Sequence, residues 1–229
     1  MLRPRRKITK RELKEDKLVS TYFKAQNLLV DYKRHIGVVV LGAVVLLVAG
    51  VIYYNNRLAN EQKAAAELGK VFTYYDGGSY KLAIDGIPEK NVLGLKSIAD
   101  NYGSTPSGEL ATFYLGSAYY MMNDYENALK YYQEFDTSDK LLKASGLSGI
   151  AACYELKGKY AEAAKYFERA ARISAGGLLT SENLRNAARN YALAGEKERA
   201  VEIYEEIRRD FPGTPAAREA EQSLAELSV

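Results

Sequence analysis

GKYAEAAKYFERA, residues 158–170, is one of three stretches in the chain that share a phase. NDYENALKYYQEF, residues 123–135, precedes it, and GEKERAVEIYEEI, residues 195–207, follows it. Around them Gly116, Tyr119, Ala128 and Tyr132 recur as Ala151, Tyr154, Ala163 and Phe167, then as Ala188, Tyr191, Ala200 and Tyr204. The tyrosines are 35 and then 37 residues apart, near the ~34-residue period of helix-turn-helix repeats. Packing explains the residue types. A small side chain lets the first helix of a unit approach its neighbour, the small residue nine after the tyrosine does the same for the second helix, and the aromatics fill the remaining space. Four residues beyond each tyrosine stands Asn123, Gly158 or Gly195, types that tolerate the left-handed backbone ending a helix.

These stretches resemble the second-helix signature of the tetratricopeptide repeat family, and Pro212 in FPGTP (211–215) resembles its terminating proline. The resemblance spans roughly residues 60 to 212 and implies an all-α fold, a right-handed helical solenoid. The aromatic that often begins the family's first helix is replaced by Thr112, Leu147 or Leu184, and the chain has no Trp. An earlier, degenerate unit is expected at Tyr74, Gly78, Ala83 and Ile87, interrupted by Pro88. LGLKSIADNYG, residues 93–103, is expected to form an inserted helix, and AAREAEQSLAELS, beyond Pro215, a polar C-terminal cap.

Ahead of the repeats, Ile36 to Tyr54 is nineteen residues without a charge. As a helix it spans roughly 28 Å, close to the hydrocarbon thickness. Twelve of the nineteen are Val, Leu or Ile, which favours insertion by roughly 4 to 7 kcal/mol. Lys33, Arg34 and His35 flank one end, and Tyr53 and Tyr54 close the other, as interfacial residues do. A buried core helix would show a polar stripe, and a cleavable signal would be shorter, with a brief leader and a small-residue cleavage site. Neither pattern is present, so a retained signal anchor is expected. Residues 1–35 hold 11 Lys or Arg against 4 Asp or Glu, net +7, and residues 55–229 hold 21 against 25, net −4. The positive side marks the cytoplasm. The expected organisation is a basic cytoplasmic leader over 1–35, a transmembrane helix over 36–54 and an extracytoplasmic repeat domain with its capping helix over 55–229. Thr9 with Glu12 matches a capping box, and Leu18, Tyr22, Ala25, Leu29, Tyr32 and Ile36 form one helical stripe. Such a leader beside a span reads as a topology signal or anionic-lipid contact before it reads as a nucleic-acid site.

Catalytic chemistry is sparse. His35 and Cys153 are the only His and Cys, too few for a zinc site or a disulfide, and Cys153 reads as a small core residue. No nucleophile elbow, zincin motif or phosphate loop occurs. The expectation is a non-enzyme without cofactor, metal or small-molecule substrate.

A solenoid binds extended ligands on the concave side, lined by first helices. The groove is expected at Leu68, Phe72 and Tyr75, then Leu110, Phe113, Ser117 and Tyr120, then Glu155, and then Arg185 and Arg189. Equivalent phases add Ser145, Ser148 and Ala152. It grades from aromatic to charged along the chain, suiting unfolded or extended polypeptide. The competing reading packs Phe72, Tyr75 and Phe113 against the inserted helix. The whole architecture resembles the YfgM-like family of bacterial inner-membrane proteins, ancillary to the Sec translocon. That resemblance implies an inner-membrane location, a periplasmic repeat domain, and translocon subunits, periplasmic chaperones or unfolded exported chains as partners. A scaffold of another envelope complex, without chaperone activity, is the alternative.

Overall fold

The computed structural model describes the backbone of residues 10–173 and 177–227, with side chains for residues 19–24, 26, 32–35 and 37 onward in those ranges. The expected capping box of Thr9 and Glu12, and Leu18, Ala25, Leu29 and Ile36 of the leader stripe, lie outside the described residues and side chains. The chain forms two compact units, Met1–Asn56 and Arg57–Val229. Helix α1, Lys10–Asp76, supplies the described part of the first and the opening helix of the second. In the first unit its apolar side chains, among them Val39, Leu41, Leu46 and Ile52, are exposed. None of its most apolar stretch is buried, and by length and composition it can cross a membrane.

The second unit is a helical solenoid whose pairs follow the repeated phase. Helices α4 (Pro106–Met121) and α5 (Tyr125–Glu134) form one pair, α6 (Lys140–Leu156) and α7 (Tyr160–Ile173) the next, and α8 (Leu178–Leu193) and α9 (Lys197–Asp210) the third. Helix α10 (Pro215–Leu227) packs on α8 and α9 with Ala216, Ala217 and Ala220 buried, and keeps Arg218, Glu221 and Glu226 in solvent. The turns obey the expected chemistry. Asn123, Gly158 and Gly195 take φ of 62°, 70° and 84°. That backbone lets the N–H five residues past each repeat tyrosine return to its carbonyl: Asp124 to Tyr119, Lys159 to Tyr154 and Glu196 to Tyr191, each at 2.9 Å. Two orphaned helix ends are thereby joined by one short loop.

The degenerate unit keeps this turn, with Gly78 at φ 71° and Ser79 N–H donating to the Tyr74 carbonyl at 2.9 Å. Its second helix, α2 (Tyr80–Asp85), then stops. Gly86 takes φ 83°, and a Cβ there would stand 2.4 Å from the backbone N of Gly94, so only glycine fits. Ile87, expected at a helical phase, instead belongs to strand β1 (Gly86–Ile87), antiparallel to β2 (Val92–Leu93) across a 3-10 turn at Pro88–Lys90. Pro88 has no N–H to continue a helix, which corrects that expectation. The inserted helix forms as α3, Leu95–Tyr102, with Leu95 and Ile98 buried against the neighbouring helices. The opening helix of the unit caps α4: Glu61 accepts from Ser107 N–H at 2.9 Å and from Ser107 Oγ at 2.7 Å, where a carboxylate is favoured by the helix dipole.

The repeated small residues lie where helices meet. Ala128, Ala163 and Ala200 have no exposed surface, and the aromatics four residues later, Tyr132, Phe167 and Tyr204, are buried. Tyr132 shows the constraint most sharply. A Cβ added to Gly116 on α4 would fall 2.8 Å from its ring, and one added to Gly149 on α6 would fall 2.5 Å from it. One ring therefore joins the two helices of its own unit to the first helix of the next.

Enlarging Ala163 to Leu at such a contact is expected to destabilise the chain by about 1 to 3 kcal/mol. Denaturant unfolding followed by circular dichroism measures it, with the exposed Glu221→Ala as a control of negligible effect.

Candidate protein-binding groove

Where the first helices of successive units stand side by side, polar side chains one repeat apart bond to each other. Tyr75 Oη and Ser117 Oγ share a hydrogen bond of 2.7 Å. Ser148 Oγ donates to Asn183 Oδ1 at 2.8 Å. Glu155 accepts from Arg189 Nη2 at 2.8 Å and from Asn190 Nδ2 at 2.8 Å, and Asn190 is fully buried. Arg185 donates to Glu219 of α10 at 2.6 Å and pairs with Glu182 at 2.8 Å. Six of the sequence-predicted groove residues, Tyr75, Ser117, Ser148, Glu155, Arg185 and Arg189, thus make the joints between neighbouring units.

Tyr120, Glu155 and Arg189 come together in one open cavity of about 430 Å³, with Ser145, Ser148 and Ala152 beside them. The cavity's only charges are Glu155 and Arg189, which neutralise one another. Leu68 does not join this surface. It is 8% exposed, among Val71, Leu95, Ile98 and Leu115, because its phase on α1 turns it toward α3 and α4. Leu110 is partly buried against the same cluster. Phe72 and Tyr75 form an aromatic cluster with Tyr80 and Tyr114, centroids 4.7 to 5.5 Å apart. Phe113 meets Tyr114, Tyr132 and Phe135 at 5.6, 5.7 and 5.4 Å. These ring partners come from α1, α2, α4 and α5 rather than from the inserted helix α3.

Burial sets the ionisation of the groove's hydroxyls. It raises the Tyr75 phenol, with the Ser117 hydrogen bond partly opposing, and it raises Tyr120 and, much further, Tyr132. All three stay neutral donors at physiological pH. The site can therefore offer hydroxyls, ring faces and one self-compensated ion pair. Among the described residues no three His, Cys, Asp or Glu side chains converge to hold a metal.

The structure adds one feature that the expected groove residues do not include. Met121, Leu156 and Leu193, each the last residue of a first helix, are 54%, 51% and 54% exposed. Each stands two residues past the repeat tyrosine, and that shared phase is the signal that could have found them. Of the three, Leu156 also lines the 430 Å³ cavity and so borders the groove.

Comparison with known proteins agrees with the helical-repeat fold. Residues 142–211 match one tetratricopeptide repeat family and residues 110–137 match another, so the chain carries tetratricopeptide repeats. A solved structure of nearly identical TPR-like repeats in a putative kinesin light chain from Podosopora anserina is similar in fold, with 17% identity and a TM-score of 0.55, over 73% of this chain and 85% of that one. The N-terminal domain of stress-induced protein-1 from C. elegans is 23% identical over 53% of this chain and 94% of its own, with a TM-score of 0.46. No curated protein matches the chain.

Cys153 lies beneath the groove's first-helix wall on α6, with no exposed surface, and burial pushes its thiol up to about 11. The native chain is expected to resist iodoacetamide at pH 8 and to be alkylated promptly in denaturant. Native labelling at the rate of a free thiol would place Cys153 outside the core.

Proposed function

Because the chain carries tetratricopeptide repeats, a protein-protein interaction module, we propose that it works as a membrane-anchored one. Residues 36–54 span the bacterial inner membrane, 1–35 stay in the cytoplasm, and 55–229 stand in the periplasm. The exposed apolar stretch supports the span, and the +7 leader supports the orientation. The partners are polypeptides at the site of export: Sec translocon subunits, periplasmic chaperones or the exported chains. Likeness of the whole architecture to the YfgM-like family supports that assignment.

The observation that carries the binding reading is the first-helix face itself. Its Glu155 and Arg189 are paired with each other, whereas Met121, Leu156 and Leu193 remain uncovered at one phase. Such a surface favours extended segments with uncharged, apolar side chains. Each unit contributes little area, so Kd is expected on the order of micromolar. A second reading, a fixed scaffold of an envelope complex without affinity for unfolded chains, draws on the same joints, since Tyr75–Ser117 and Glu155–Arg189 already engage the groove's polar groups.

A reporter active only outside the cytoplasm, fused after Val229, is expected to be active; silence would reverse the orientation. Changing Met121, Leu156 and Leu193 together to Ser is expected to leave circular dichroism unchanged. It should also weaken binding of a labelled unfolded chain, read by anisotropy, by about tenfold or more, corresponding to ~1.4 kcal/mol. Undiminished binding by the folded variant would remove this row from the binding surface, and absence of binding by the unaltered chain would favour the fixed scaffold.

A further inference from the structure

We propose that a second surface, built on α7 and with a main cavity that shares no lining residue with the groove, binds an acidic, apolar segment of a polypeptide partner. A cavity of about 580 Å³ is lined by Lys165, Glu168, Arg169, Arg172, Ile173 and Tyr191, a size ordinary for ligand sites. Its single carboxylate is already engaged. Glu168 accepts from Tyr191 Oη at 3.1 Å and from Arg199 Nη2, which stands outside the lining, at 2.6 Å. Arg172 forks onto Glu206 of α9. Lys165 and Arg169, one turn apart on α7, have no carboxylate partner among the described residues. The lining therefore carries an uncompensated positive charge that an anionic group would satisfy.

The apolar part of the occupant follows from what surrounds Arg169. Its guanidinium lies 5.0 Å over the Tyr166 ring, a stacked arrangement that still leaves N–H donors for a carboxylate. It also borders an adjoining depression of about 220 Å³ lined by Phe135, Leu147, Ile150 and Tyr166 beside Gln133 and Lys143, the last paired with Asp136 at 3.3 Å. A carboxylate held by Lys165 and Arg169 would be flanked by two apolar recesses, one at Ile173 and one at Phe135. An acidic residue with large apolar neighbours in sequence fits both. A flat anionic bilayer does not. A flat surface cannot enter the recesses, and helix α9, tied to α7 through Arg172–Glu206 and Arg199–Glu168, exposes Glu198 and Glu205 as well as Lys197, Arg208 and Arg209, so it offers such a surface no uniformly cationic face.

The test uses the full chain in a zwitterionic nanodisc and a short fluorescent peptide of Asp, Glu, Leu and Phe, read by anisotropy. Saturable binding that weakens with added salt is expected. Lys165→Ala with Arg169→Ala should weaken it by about tenfold, two ion pairs at the upper end of exposed strengths. The conservative pair Lys165→Arg with Arg169→Lys should restore most of it, and circular dichroism should be unchanged throughout. Absence of binding, equal binding of the peptide with Gln and Asn replacing its acids, or undiminished binding by the folded double Ala variant would each overturn the proposal. Stronger capture of phosphatidylglycerol vesicles than of the peptide would also overturn it, in favour of a lipid surface.

Discussion

A ring wedged between glycines is the contact on which the rest of the repeat unit depends. Tyr132 projects from α5 into space that exists only because Gly116 and Gly149 have no side chains. Burying such a ring contributes about 1.5 to 3 kcal/mol, and the closeness it requires sets how near α4, α5 and α6 stand. Phe167 and Tyr204 occupy the equivalent place among Ala151, Ala188 and the alanines of α10. The same proximity lets Tyr75 reach Ser117 and Glu155 reach Arg189. Packing comes first, and the polar joints follow from it.

The repeated phase made most of this fold legible in the residues. Small and aromatic positions at fixed steps specify which faces approach, and Asn123, Gly158 and Gly195 specify where each helix ends, because both signals act within one unit. The degenerate unit was less legible. Its turn at Gly78 survives, but the fate of Ile87 depends on Gly86 accepting a backbone approach from Gly94, a contact no local spacing announces. The groove was legible only as a set of phases. Tyr120, Glu155 and Arg189 do share a cavity, but Leu68 turns into the core. The pairing of polar groups across units depends on how consecutive first helices register, and one unit's sequence does not encode that. Met121, Leu156 and Leu193 were overlooked because exposed apolar residues near turns are ordinary singly and gain meaning only as a row.

The two surfaces differ in chemistry. The first-helix face pairs Glu155 with Arg189 and leaves hydroxyls, rings and apolar ends uncovered, so a partner there would be held by desolvation and shape, with little response to salt. The α7 face leaves cations uncompensated beside apolar recesses, so attraction there is electrostatic in range and apolar at contact. A solenoid can carry both because each helix pair buries its core between its own members and its immediate neighbours, leaving its outer faces free to diverge.

Site-specific photo-cross-linking in living cells tests the interaction role most directly. A photoreactive residue in place of Met121, Leu156 or Leu193 is predicted to yield discrete cross-linked polypeptides on illumination, whereas the same residue at Glu221, on the solvent face of the α10 cap, yields none. Cross-linking absent from all three first-helix ends, or equal from Glu221, would contradict the assignment of the first-helix face as the surface that meets other proteins.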